Sequence, residues 1–168
     1  MYIFNFLLYD INRKDLVMKK FFRSLFYLFF PLIIGGIVAF LIKDSIDYTT
    51  LVQPPLAPPK ILFPIAWTII YLLMGISYYI YKKEYEENDG VDILYYVQLF
   101  VNALWSIIFF LWKARFVAIL WILLLDVLVL FLIYAFLHRK KISAYLNILY
   151  FIWILFATYL TIGIYILN

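Results

Sequence analysis

Five long apolar runs, separated by short polar ones, set the plan of the chain. They cover about 21–42, 61–81, 93–112, 116–137 and 142–167. Each reaches the roughly 20 residues that an α-helix needs to cross the hydrocarbon of a bilayer. The pattern predicts an all-α membrane protein, a five-transmembrane-helix bundle. The polar breaks are short: residues 113–115 and 138–141 leave room only for tight turns, so the helices on either side are antiparallel neighbours. The break at 82–90 carries Lys82, Lys83, Glu84, Glu86, Glu87 and Asp89 and is expected in water, with Asp92 placed for the N-terminal end of the third span.

The loop between the first two runs, 43–60, is the longest connection. Pro54, Pro55, Pro58 and Pro59 fall within six residues of it. Four fixed φ angles and four missing N–H donors forbid a helix and favour a stiff, extended segment. The following run opens with Pro64, Trp67 and Tyr71, so a rigid lid feeds directly into an aromatic-faced helix.

Residues 1–20 mix apolar and charged positions with no clear period and are expected to precede the first span as an N-terminal segment. Met18-Lys19-Lys20 before an apolar stretch suggests that Met18 is the true start and 1–17 an upstream extension. The stretch is too long for a signal-peptide core and has no small-x-small cleavage site, which favours a retained helix. Pro31 is placed to kink it. Gly35, Gly36 and Ala39 put small residues on one side, where a neighbouring helix can approach closely.

Composition agrees with this plan. Of 168 residues, 68% are hydrophobic and 14% charged, more apolar surface than a soluble domain of this size can hide. The net charge of +4 is spread over the ends of apolar runs, which reads as topology and lipid headgroup contact rather than nucleic-acid binding. Ten basic residues (Arg13, Lys14, Lys19, Lys20, Arg23, Lys82, Lys83, Arg139, Lys140, Lys141) fall on one side and four (Lys43, Lys60, Lys113, Arg115) on the other. The N-terminus is therefore expected inside the cell membrane, with the C-terminus and the proline-rich loop outside. The absence of cysteine excludes disulfides and thiolate chemistry. His138, the only histidine, sits among Arg139, Lys140 and Lys141 and lacks the companions a metal site needs.

Three stripes carry the candidate chemistry. Gln98, Asn102, Trp105, Phe109 and Trp112 share a face of the third span. Trp67, Tyr71, Met74 or Gly75, and Tyr78 share one on the second; Asn147, Tyr150, Trp153, Ala157 and Thr161 one on the fifth. Two readings fit them: interhelical hydrogen bonds that hold the bundle, or walls for a flat, apolar, aromatic ligand. Asp126 is the one carboxylate well inside an apolar run. It is either a functional acid or a protonated group hydrogen-bonded to a neighbouring helix; its partner is not identifiable from the sequence, with Tyr and Asn side chains as candidates.

Tyr48-x-x-Leu51…Pro54…Pro58-Pro59, Phe63-Pro64-x-x-Trp67-Thr68…Tyr71…Met74-Gly75, Gln98…Asn102…Trp105-Ser106…Phe109-Phe110, and Tyr150…Trp153…Phe156-Ala157…Tyr159-Leu160 with Leu167-Asn168 occur in order. Together they resemble the translocator protein family, also called tryptophan-rich sensory proteins or peripheral-type benzodiazepine receptors. The resemblance implies a five-helix bundle, often a homodimer, that binds porphyrin or haem-type tetrapyrroles beneath the first loop with no required cofactor. It implies ligand contact by Trp67 and Asn102, an aromatic wall at Trp153, and a lid of Tyr48, Leu51 and Pro54; Tyr71, Trp105 and Ala157, on the same stripes, are the further candidates for ligand binding. The implied role is sensing, regulation or porphyrin handling. The alternatives are a light-dependent porphyrin-degrading enzyme using Trp67 and Trp153, or a lipid or porphyrin carrier. The chain departs from the family pattern at Asp47 and Leu56, where Trp is common, at Leu149 for Pro, and at Thr161 for Asn. A cholesterol motif at the usual place in the last helix is missing. A looser pattern of that type occurs at Leu130…Tyr134…Arg139.

Overall fold

The structure, a computed structural model, describes the backbone from Tyr2 to Asn168 and side chains from Arg13 onward. It holds five helices: α1 (Tyr2–Ile42), α2 (Leu62–Glu84), α3 (Gly90–Ser106), α4 (Arg115–Arg139) and α5 (Lys141–Leu167). All five are long and apolar enough to cross a membrane. Around the bundle the order is α1, α2, α5, α4, α3, and α3 closes the ring against α1. Large apolar side chains such as Phe40, Phe100, Phe131 and Ile166 cover the outside, as lipid requires of a spanning bundle.

The first helix differs from the sequence expectation. It starts at Tyr2 rather than near residue 21. Residues 2–20 contain neither Gly nor Pro, and Asp15 and Lys19 stand at helical i,i+4 spacing. The expectation followed the continuous apolar run, which the charged residues between 10 and 20 interrupt without breaking the helix. The reading of 1–17 as an upstream extension falls, up to residue 12, on side chains outside the described residues. Pro31 lies inside α1 without ending it.

Small residues set the α1–α2 distance. A Cβ on Gly75 would stand 1.9 Å from the Leu28 carbonyl oxygen, and one on Gly35 would stand 2.2 Å from the Tyr71 ring. Gly35 therefore serves packing within the chain, whereas Gly36 points to open space.

The 82–90 segment is not wholly in water. Lys82 is 3% exposed. Its Nζ donates to the Glu87 carbonyl at 2.8 Å and lies 3.2 Å from Asp92 Oδ2. A buried ammonium is tolerable only with such partners. Asp89 caps α3, and Asp92 returns the bond to the Asp89 N–H at 2.8 Å, a capping box. Tyr78 donates to Asp92, Tyr81 donates to Asp89 at 2.7 Å, and Arg139 reaches Asp89 from the end of α4. This end of the bundle is closed by a paired polar network.

At the other end α3 does not stop cleanly. Residues Ile107–Leu111 form a π-helical turn, with Trp112 N–H bonded to the Ile107 carbonyl at 3.0 Å. The wider turn shifts the register by one residue. Gln98, Asn102, Trp105 and Phe109 stay buried, but Trp112 turns outward and is 64% exposed. The expected five-residue face therefore ends at Phe109.

Candidate functional site

Each of the three stripes divides by depth. Toward the closed end they hold the bundle. Ser77 and Ser143 exchange hydrogen bonds with each other's carbonyls at 3.0 and 2.8 Å, and Asn147 donates to Ser77 Oγ at 2.6 Å. In mid-bundle, Tyr71 donates to Asn102 Oδ1 at 2.7 Å, Asn102 Nδ2 donates to the Tyr150 hydroxyl at 3.0 Å, and Tyr150 donates to Gln98 Oε1 at 3.0 Å. This relay joins α2, α3 and α5 and gives both Asn102 side-chain atoms and Gln98 Oε1 the partners that a membrane interior demands, while Gln98 Nε2 has none among the described residues.

Above the relay the stripes open into a cavity of about 500 Å³, within the roughly 300–1,000 Å³ usual for small-molecule sites. Trp67 stands at its centre. It stacks on Tyr71 at 5.5 Å and lies 6.2 Å from Trp105 and 6.3 Å, near perpendicular, from Trp153. Phe109 and Phe110 of the π turn both face the cavity. From α5 come Trp153, Phe156, Ala157, Leu160, Thr161 and Ile164; from α1, Gly35, Val38, Ala39 and Ile42. Among the described residues the wall contains no His, Cys, Met, Asp or Glu, and its only basic side chain is Lys60 at the rim.

The lid crosses the open end. Tyr48, which lines the cavity, donates to the Pro58 carbonyl at 2.7 Å and packs edge-on against Phe63 at 5.0 Å. The proline cluster is irregular apart from two turns, in which the Ala57 N–H reaches the Pro54 carbonyl at 3.2 Å and the Leu62 N–H reaches the Pro59 carbonyl at 2.9 Å. The first of them holds Leu56. Leu56 occupies the left-handed position of that turn, at φ 65°, and its side chain is 85% exposed. The departure from Trp at this position therefore lies away from the cavity wall.

Three ties hold the lid down. Asp47 accepts two bonds from Arg115 Nη2, at 2.8 and 2.7 Å, with Lys113 at 3.4 Å. Asn168 exchanges bonds with the Val52 N–H at 2.9 Å and carbonyl at 3.1 Å. Tyr159 donates to the Pro55 carbonyl at 2.6 Å. Burial works to raise the Asp47 carboxyl, but the Arg115 bonds and charge outweigh it and hold the group below the usual carboxylate range. Burial alone pushes the Tyr48 hydroxyl up.

Of the residues named from sequence, Tyr48, Trp67, Tyr71, Trp105, Trp153 and Ala157 meet in the cavity wall. Three stand elsewhere. Leu51 packs in the apolar cluster around Trp105. Pro54 is buried against α5, where a Cβ on Gly163 would lie 2.6 Å from it. Asn102 is in the relay behind Tyr71, with both side-chain atoms bonded to protein. Asp126 lies outside the cavity; Thr158, rather than a Tyr or Asn, donates to its Oδ2 at 2.9 Å. His138 contacts the Tyr134 carbonyl at an exposed helix end. The α1 wall and Lys60 were not anticipated as site residues. The i,i+4 spacing of the small residues Gly35 and Ala39 was the available signal for that wall.

Comparison with known proteins agrees with this architecture. The sequence profile of the TspO/MBR family matches residues 27–167. The Tryptophan-rich protein TspO of Archaeoglobus fulgidus is 36% identical over 140 residues, 82% of this chain and 91% of that protein. The protein of the same name from Chlorobaculum tepidum is 36% identical over 127 residues, 72% of this chain and 78% of its own. The Tryptophan-rich sensory protein of Cereibacter sphaeroides is 30% identical over 119 residues, 70% and 74% of the two chains. The chain is an integral membrane protein that belongs to the TspO/MBR family.

Proposed function

We propose that the protein binds tetrapyrroles of the protoporphyrin or haem type in the cavity beneath the lid, in a sensing or regulatory role. The observation that carries this reading is the wall itself. Trp67, Trp105, Trp153, Tyr71, Phe109 and Phe110 present broad aromatic faces around about 500 Å³, and a flat conjugated ring gains from stacking against such faces. Among the described residues the wall holds no imidazole, thioether or carboxylate, so the aromatic faces are the groups available to hold the ring. The sensing half of the reading draws on the name of the Cereibacter sphaeroides relative. The distribution of basic residues supports a lid on the outer face of the cell membrane. The outward-facing Gly36 offers one contact for a homodimer.

The test is a protoporphyrin titration of the purified protein followed by tryptophan quenching, with wild type beside Trp67→Ala and Ala157→Phe. Ala157 is 5% exposed on the cavity wall, so a phenyl group there occupies ligand space. Saturable quenching in the wild type, weakened at least tenfold in both variants, is the expected result. Weak, linear quenching identical in all three means partition into detergent and refutes the reading.

A further inference from the structure

Lys60 is the one ionised side chain among the residues lining the cavity. Like Lys14, Lys19, Lys43, Lys83 and Lys141, it has no carboxylate partner among the described residues, and of these only Lys60 lines the cavity. It also stands where local electrostatics disfavour a cation. Lys60 immediately precedes Ile61, the N-cap of α2, where the helix dipole is positive. That helix has no side-chain N-cap and no acid in its first turn. A lysine there adds positive charge to a positive pole, against the preference for Asp, Glu, Ser or Thr at helix starts. Violations of a local rule gather at functional positions. The rest of the lining is apolar or aromatic, apart from the indole N–H groups of its tryptophans, of which Trp105 Nε1 and Trp153 Nε1 are buried without a partner and uncharged, and the hydroxyls of Tyr48, Tyr71, Ser106 and Thr161. Three of these are already engaged: Tyr48 with the Pro58 carbonyl, Tyr71 with Asn102, and Thr161 with the Ala157 carbonyl.

We propose that Lys60 makes the cavity selective for amphiphiles with a flat apolar body and a free carboxylate, the carboxylate lying at the rim against the Lys60 ammonium. The inference rests on the tetrapyrrole reading and adds to it the ionisation state and orientation of the ligand. The ring enters toward Trp67, and its acidic edge stays at the lid. A carboxylate at the rim keeps much of its hydration, so the desolvation cost that penalises buried charge is small. It gains a charge-assisted hydrogen bond and the field of the α2 terminus. A lipid phosphate offers the Lys60 ammonium a partner of the same charge from outside; repeating the titration with anionic phospholipid added to the micelles separates the two.

Protoporphyrin and its dimethyl ester share a ring and differ in charge. Each is titrated in non-ionic micelles against wild type, Lys60→Met, Lys60→Arg and Lys60→Glu, by tryptophan quenching. The exposed position of Lys60 lets all four proteins fold, which equal melting curves verify. A rim ion pair lies between exposed and charge-assisted bonds in strength, so Lys60→Met is expected to weaken the acid about five- to tenfold. Lys60→Arg retains binding, Lys60→Glu falls below Lys60→Met, and the ester binds all four alike. Added salt weakens the acid and spares the ester. Equal binding of acid and ester with no effect of Lys60→Met makes Lys60 a headgroup contact and overturns the inference while the tetrapyrrole reading stands. Unsaturable quenching by both compounds in the wild type overturns that reading, and the inference with it.

Discussion

Asn102 is where the resemblance and the geometry make different claims, and Asn102→Ala separates them. The family resemblance implies that Asn102 touches ligand. In the structure its Oδ1 accepts from Tyr71 at 2.7 Å and its Nδ2 donates to Tyr150 at 3.0 Å, and it is 1% exposed. The substitution removes both bonds and strands the Tyr71 hydroxyl. Interhelical hydrogen bonds in membrane proteins are worth about 0.6 kcal/mol on average and up to about 1.7. Two of them give a loss of about 1–3 kcal/mol in the ligand-free protein. Tyr71→Phe removes only the shared bond and costs about 1 kcal/mol. The double variant then resembles Asn102→Ala alone, so a double-mutant cycle returns a coupling of about 0.6–1.7 kcal/mol. The assay is unfolding in mixed micelles, followed by far-ultraviolet circular dichroism, with protoporphyrin affinity measured on the same samples. Affinity shifts less than tenfold, because Tyr71 stands between Asn102 and the cavity. Unchanged ligand-free stability with affinity lost more than tenfold would refute the reasoning and make Asn102 a direct ligand contact.

Four further outcomes are expected. Gly75→Ala drives a methyl into the Leu28 carbonyl and destabilises the fold by at least about 1–3 kcal/mol, read as a lower thermal midpoint. Lys82→Met leaves Asp92 charged and buried, at 4% exposure, without its ammonium, and costs about 3–5 kcal/mol in the same assay. Leu56→Gly relieves a left-handed leucine and raises stability by about 1 kcal/mol, since the exposed side chain gives up little packing. The carboxyls of Asp47 and Asp89 are both held below their ordinary range in the folded state. Their contribution is complete above the unfolded value of about 4 and disappears as pH falls through the folded values. Melting temperature should be flat from neutral pH to about 5 and fall below about 4; Asp47→Asn should sit under the wild type at pH 7 and converge with it in acid.

Much of this was legible in the residues. The five spans followed from the length of the apolar runs, since hydrocarbon thickness leaves few alternatives. Trp67, Tyr71, Trp105 and Trp153 were legible as a wall because helical spacing aligned each with its neighbours. Spacing could not divide the stripes into glue and cavity, because that depends on how deep each residue lies against other helices. Gln98 and Asn147 look like Trp105 and Thr161 on a helical wheel; only the packing partners Tyr150 and Ser77 separate them. The π turn had no sequence signal, so Trp112 was kept on a face it leaves. Lys82 looked solvated because its partner Asp92 lies ten residues away, across a loop whose path the sequence does not fix. The tie from Asp47 to Arg115 spans 68 residues, beyond any local pattern.

The most direct test of the central claim is an experimental structure of the protein with protoporphyrin bound. The account predicts the ring between Trp67 and the π-turn phenylalanines, an acidic edge toward Lys60, and the Tyr71–Asn102–Tyr150 relay intact behind it. A ring seated on the lipid-facing surface, with the cavity still lined as described and free of pigment, would contradict it.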